Sequence, residues 1–280
     1  MFVWDVDPEF FRAEMFGINI ALRYYSFLFL AGFMVGYYYI FSIFQKEGRD
    51  AKEECSSLLT HLLLGTVIGA RLGHCLFYEP EYYLVNPIKI LQIWNGGLAS
   101  HGGFMGVMIA AYLWLKKFKG DSVFWLLDRL TGPSVFAGSL IRIGNFFNSE
   151  VVGKPTDGNW GVVFKRLGED FPRHPTQIYE FVGYFFIAII LFIIFHKTRK
   201  DWIAGRILGL GLAMAFGWRF LIEFFKIEQV SWEQGLFLNM GQLLSIPFIL
   251  LGIYLALGKH KDSPVFQWFL KSISDVKKNK

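Results

Sequence analysis

Seven stretches of the chain are apolar over lengths that match the roughly 20 residues a helix needs to cross a bilayer. They lie near 18–44, 56–78, 98–115, 122–146, 176–195, 204–225 and 236–257, and polar connections separate them. The first is long enough to hold an interfacial portion as well as a span. The fourth is the least apolar, interrupted by Asp128, Arg129, Pro133 and Arg142. The pattern predicts an all-α integral membrane protein, a single polytopic domain over residues 1–280. Gly32 and Gly36 lie four apart in one apolar stretch, and Gly65, Gly69 and Gly73 repeat that spacing in the next. Such spacing lets helix backbones approach closely in lipid.

Lys and Arg in the connections set the orientation. Fifteen fall in 45–55, 116–121, 196–203 and the tail after 258, against seven in the alternate set. The richer set is expected on the cytoplasmic side. That puts the N-terminus outside, the C-terminus inside, and the long connections 79–97 and 147–175 on the extracytoplasmic face. Both carry Trp, Tyr, Pro and Gly, as interfacial or small extramembrane structure would.

Composition agrees. Hydrophobic residues make up 54% of 280, Phe alone occurs 31 times, and charged residues are 18%; mean hydropathy is +0.38. A soluble chain of this size would expose much of that surface, whereas lipid is a solvent for it. The net charge of +5 follows the loops, so no nucleic-acid partner is implied. The N-terminal MFVWDVDPEF lacks the basic region and short apolar core of a cleavable signal peptide. Cys55 and Cys75 fall at opposite membrane faces, so no disulfide is expected between them. Metal-ligand spacing, H-E-x-x-H, G-x-S-x-G and phosphate-loop motifs are absent, and no metal or cofactor is indicated.

The informative residues are polar ones where lipid should be, since an arginine at mid-membrane costs about 2.5–3.5 kcal/mol on insertion scales. Arg23, Arg129 and Arg206 lie near predicted span ends, where snorkelling suffices. Arg71, Arg142 and Arg219 do not. Arg219 has Glu223 one turn later, which allows an internal ion pair. Arg71 precedes His74 by three on one helix face; it either bonds loop carbonyls or takes part in chemistry. Arg142 opens the run R-I-G-N-F-F-N-S-E-V-V-G. If the helix continues, Arg142, Asn145 and Ser149 form one polar stripe with Glu150 beside it, fit for a polar cavity. In G-G-L-A-S-H-G-G-F-M-G (96–106), His101 stands at an outer helix start beside glycines that would let a ligand approach the backbone.

These residues resemble a known family. R-I-G-N-F-F-N-S-E-V-V-G (142–153) is similar to the signature of prolipoprotein diacylglyceryl transferases. H-G-G-F-M-G (101–106), G-A-R-L-G (69–73), R-H-P-T-Q-I-Y-E (173–180) and R-F-L-I-E-F-F (219–225) match in family order. The resemblance implies a multi-pass enzyme of the bacterial cytoplasmic (inner) membrane. It would transfer diacylglyceryl from phosphatidylglycerol to the lipobox cysteine of a preprolipoprotein signal peptide, releasing glycerol phosphate. It further implies His101, Arg142, Arg219 and Glu150 as catalytic, with Arg142, Asn145, Gly153, Tyr25 and Arg71 on the substrate. Two positions depart: Ala215 and His74 stand where the family commonly has Tyr.

The implied chemistry suits the residues. A thiol is a strong nucleophile but mostly protonated at neutral pH, and the leaving phosphate gains charge as its bond breaks. Guanidinium groups bind phosphate bidentately and stabilise that charge. His101 would take the thiol proton or orient the phosphate; Glu150 is the other candidate base, or the organiser of Asn145 and the arginines. The alternative is a phospholipid or anion transporter built on the same arginines, which predicts an internal repeat that the sequence does not show. A non-catalytic scaffold for lipoprotein export is a third.

Overall fold

The computed structural model describes residues 2–15, 18–118, 122–198, 203–227 and 238–258. Lys119, Arg199, Lys200 and the lysines after residue 258, which carry much of the charge asymmetry, lie outside them. The chain divides into two units, Met1–Gly36 with Leu127–Phe269, and Tyr37–Leu126 with Leu270–Lys280. Eight α-helices of the described residues make up most of both: α1 (Tyr24–Lys46), α2 (Ala51–Phe77), α3 (Pro80–Val85), α4 (Ser100–Lys117), α5 (Val123–Phe147), α6 (Thr176–Thr198), α7 (Arg206–Ile222) and α8 (Met240–Ala256). By length and composition α1, α2, α6 and α7 with the turn that follows it can cross a membrane; α8 is apolar but shorter.

Seven of the helices fall on the seven apolar stretches, and their ends differ for local reasons. Residues 18–23, expected within the first span, form strand β3 (Ile18–Arg23), paired antiparallel with β2 (Glu9–Met15). The segment reads I-N-I-A-L-R, and that alternation has the period of a strand, not a helix. Glu9 accepts from Arg12 (2.5 Å) and Arg23 (3.1 Å), which ties the hairpin ends together. Helix α2 starts earlier than its apolar run because Asp50 caps it, accepting from the Glu53 amide at 3.0 Å, with Glu53 and Glu54 in the first turn.

In the first unit, β1 (Phe2–Trp4) pairs parallel with β4 (Val162–Phe164), joining the N-terminus to the long loop before α6. Trp4 packs on Phe146 and Phe147 at the end of α5, over a small core of Phe146, Val162 and Phe164. Gly32 on α1 meets Ala137 on α5, as its spacing predicted. Asp128, an interruption in the fourth stretch, is buried and accepts from the amides of Gly205 (2.7 Å) and Leu208 (2.8 Å). It caps the N-terminus of α7, which has no side-chain cap of its own.

In the second unit, α2 and α4 lie along a glycine seam. A Cβ on Gly106 would sit 1.9 Å from the Gly65 carbonyl oxygen, and one on Gly102 would sit 2.3 Å from that of Gly69. The glycines after His101, expected to open backbone to a ligand, therefore face α2. Cys55 and Cys75 are buried thiols on α2, held about 30 Å apart by the 1.5 Å rise of the helix.

Candidate active site

The first unit gathers most of the signature residues at the C-terminal end of α5. The helix stops at Phe147, so the continuation that would have aligned Ser149 with Arg142 and Asn145 does not occur. The chain instead turns sharply: Ser149 and Val151 both adopt φ of +56°. That conformation is costly for a β-branched valine, by about 1–3 kcal/mol, and survives where its surroundings over-determine it. Here α6 does so: Thr176 donates to the Val151 carbonyl (2.7 Å) and Gln177 to the Glu150 carbonyl (2.6 Å).

The turn places Glu150 under two amides. Asn145 Nδ2 donates to Oε2 at 3.1 Å and Asn148 Nδ2 to Oε1 at 3.0 Å, while Asn145 Oδ1 accepts from Arg142 Nη1 at 3.2 Å. Asn145 thus passes the orientation of Glu150 on to Arg142. Tyr25, at the start of α1, lies against Gly144, where a Cβ would come within 2.7 Å of its ring.

A line of buried charge runs on from Arg142. Its Nε lies 3.1 Å from Glu180 Oε2 on α6, an ion pair without hydrogen-bond geometry. Glu180 Oε1 accepts from Lys226 Nζ at 3.0 Å, and that ammonium also meets Glu223 Oε1 at 3.0 Å. Glu223 Oε1 lies 3.6 Å from Arg219 Nε, the internal pair the spacing allowed. Asn239 and Gly241, at the start of α8, close over Glu223. Sequence reasoning missed Glu180 and Lys226 as members of the site. The signal was present: Glu180 is a carboxylate in an apolar span with no cation three or four residues away.

The ends of both arginines are open. The Nη2 of Arg142 and both terminal nitrogens of Arg219 have no protein partner among the described residues. Gly153 is held by backbone: its amide donates to His174 O at 2.9 Å, it bridges Lys226, and a Cβ would strike His174 and Phe225. Nearby in the loop, Arg173 bonds Glu169 through Nε (2.5 Å) and Nη2 (2.5 Å), and this holds the Glu169 carboxyl below its ordinary 4.5. Arg173 also reaches the Gly153 carbonyl at 3.3 Å.

Arg71 and His101 belong to the second unit. His101 is the exposed second residue of α4, whose N-terminus carries no side-chain cap. Arg71 has a different environment from Arg142 and Arg219. It is buried, and its five N–H donors meet the five carbonyls of Lys89, Ile90, Gln92, Gly96 and Gly97 at 2.6–3.2 Å. A guanidinium has five donors, so none is left for a phosphate. Arg71 was expected on the substrate; its geometry is that of the loop-carbonyl alternative.

The family model "Prolipoprotein diacylglyceryl transferase" matches residues 13–257. A protein of Tolumonas auensis is 46% identical over 262 residues, covering 94% of this chain and 99% of its own. One of Chloroherpeton thalassium is 42% identical over 252 residues, covering 90% and 92%. One of Porphyromonas gingivalis is 41% identical over 278 residues, covering 94% and 96%. All three are named phosphatidylglycerol–prolipoprotein diacylglyceryl transferase.

Proposed function

Because this chain belongs to the prolipoprotein diacylglyceryl transferase family, we propose that Arg142 and Arg219 hold the phosphate of its lipid substrate through their open guanidinium ends. The protein is a bacterial membrane transferase that moves diacylglyceryl from phosphatidylglycerol to prolipoproteins, the first step of lipoprotein maturation. That assignment replaces the transporter and scaffold alternatives.

The acceptor is the lipobox cysteine. Its sulfur attacks the glycerol carbon bonded to phosphate, the carbon–oxygen bond breaks, and a thioether and glycerol phosphate result. The thiol proton leaves to a base as the phosphate takes up the electron pair. His101 is the base in this account, because Glu150 is occupied as an acceptor of two amides and acts as the organiser of Asn145 and Arg142. Tyr25 packs beside that group and Gly153 fixes the backbone near it. The seven helices on the seven apolar stretches support seven spans in one polytopic domain of the cytoplasmic membrane, and the Lys and Arg asymmetry of the connections supports an N-terminus outside.

The observation that carries the phosphate reading is the donor count. Arg142 and Arg219 are set at Nε against buried carboxylates, while among the described residues Nη2 of Arg142 and both terminal nitrogens of Arg219 lack a partner and suit an anion whose charge grows in the transition state. Removing one such donor group costs about 10²–10³ in rate. Purified Arg142→Ala should therefore lose at least a hundredfold in transfer of labelled lipid to a lipobox peptide. Wild-type turnover in that variant would remove Arg142 from the reaction.

A further inference from the structure

Residues 78–99 join α2 to α4 through α3 and two short 3-10 turns, Pro87–Leu91 and Ile93–Asn95. Their backbone faces inward. The five carbonyls that Arg71 binds all come from 89–97, and its guanidinium lies 5.0 Å from the centre of the Tyr83 ring. Their apolar side chains face outward: Ile88 is 75% exposed, Leu91 73% and Trp94 68%, with Leu84 and Val85 similar. A loop in water has the reverse arrangement, with carbonyls solvated and apolar groups packed inward. An exposed apolar surface of this extent marks contact with another phase or partner, and lipid is the medium in which carbonyls must be satisfied internally.

The occupant is identified by continuity and by composition. The segment leaves α2, itself apolar enough to span, through Leu76 and Phe77, which are exposed apolar residues. It carries Tyr78, Tyr82 and Trp94, the ring types that settle at headgroup level. We propose that residues 82–94 are an interfacial segment turned inside out, lying in the headgroup–acyl boundary of the bilayer, with the Arg71 guanidinium as its internal anchor. Arg71 supplies the hydrogen bonds that water would give this backbone elsewhere. The proposal rests on the membrane location of the enzyme and not on the roles given to Arg142 or Arg219, so failure of the lipid-transfer test leaves it standing.

Spin labels on Leu91→Cys and Ile88→Cys test it, in full-length protein reconstituted in phosphatidylethanolamine–phosphatidylglycerol vesicles, with Asp157→Cys in the loop before α6 as the aqueous reference. Collision with oxygen should exceed collision with a water-soluble nickel chelate severalfold at 88 and 91, and the ratio should reverse at 157. Adding Arg71→Gln should move the label at 91 toward the aqueous ratio; should that variant not fold, the ratios at 88 and 91 decide alone. Aqueous ratios at 88 and 91 would overturn the proposal. So would labels that become shielded from both reagents only when a lipobox peptide is added, which would give the surface to a protein partner.

Discussion

Replacing Lys226 with methionine keeps the length and apolar stem of the side chain and deletes its charge. The ammonium is buried and lies 3.0 Å from an oxygen of Glu180 and 3.0 Å from one of Glu223, so those oxygens are at most about 6 Å apart, where two like charges repel by about 3 kcal/mol at an effective dielectric near 20. Stranding one partner of a buried pair costs about 3–5 kcal/mol. The low end applies, because each carboxylate keeps an arginine, Arg142 at 3.1 Å and Arg219 at 3.6 Å. Those arginines are then drawn onto the carboxylates and away from the phosphate they are proposed to hold. A loss of about 3 kcal/mol corresponds to about a hundredfold in kcat/KM, at about 1.4 kcal/mol per tenfold. The assay is peptide-dependent lipid transfer at varied phosphatidylglycerol, with thermal unfolding in detergent run alongside. Adding Glu223→Gln removes the repulsion and should recover part of the loss. The reasoning fails if Lys226→Met transfers lipid within twofold of wild type, or if the double variant loses the sum of the two single losses.

The glycine seam and the long loop give two further outcomes. Gly106→Val should unfold at a markedly lower temperature in detergent, since its Cβ would sit 1.9 Å from a carbonyl oxygen of α2 and overpacking costs about 1–3 kcal/mol or more; Gly138→Ala, with nothing within 4 Å, should match wild type. Glu169 has its carboxyl lowered by Arg173, so its contribution to loop stability is complete above its ordinary 4.5 and disappears as pH falls through the lower folded value. Protection across 153–173, taken relative to the intrinsic exchange rate at each pH, should therefore fall in acid below about pH 4.5, and Glu169→Gln should show the lowered protection at neutral pH; equal protection in both proteins at neutral pH would remove the pair from the loop's stability.

Hydropathy located the helices because lipid makes apolar length the dominant signal, and the spacing of Gly65, Gly69 and Gly73 foretold a close helix contact without naming α4 as its partner. The parallel pairing of Phe2–Trp4 with Val162–Phe164 joins segments about 160 residues apart, and nothing local encodes such a contact. Separation in sequence also hid the centre of the site. Arg142 and Asn145 are three apart and legible as a pair on one helix face, whereas Glu180 and Lys226 are separated by 46 residues. Their partnership exists only once α6 and the end of α7 are side by side. The alternation of I-N-I-A-L-R is that of a strand, but it runs without a break into an apolar stretch that continues as a helix.

Buried arginines look alike in a sequence, and what separates them here is how many of their donors the protein itself consumes. Arg71 gives all five to carbonyls of its own unit, and its charge serves to hold a loop. Arg142 gives Nη1 to Asn145 and sets Nε against Glu180, and Arg219 sets Nε against Glu223. Lys226 neutralises part of what those carboxylates would otherwise take, so three cations face Glu180 and Glu223, while Glu150 reaches Arg142 only through the Asn145 amide. Guanidinium nitrogens left unpartnered in that way suit an anion, and the phosphate proposed for them gains charge as its bond to the glycerol carbon breaks. The same accounting explains why arginine, with a side as well as an end to bind through, occupies positions 142 and 219, while a compact ammonium suffices at 226.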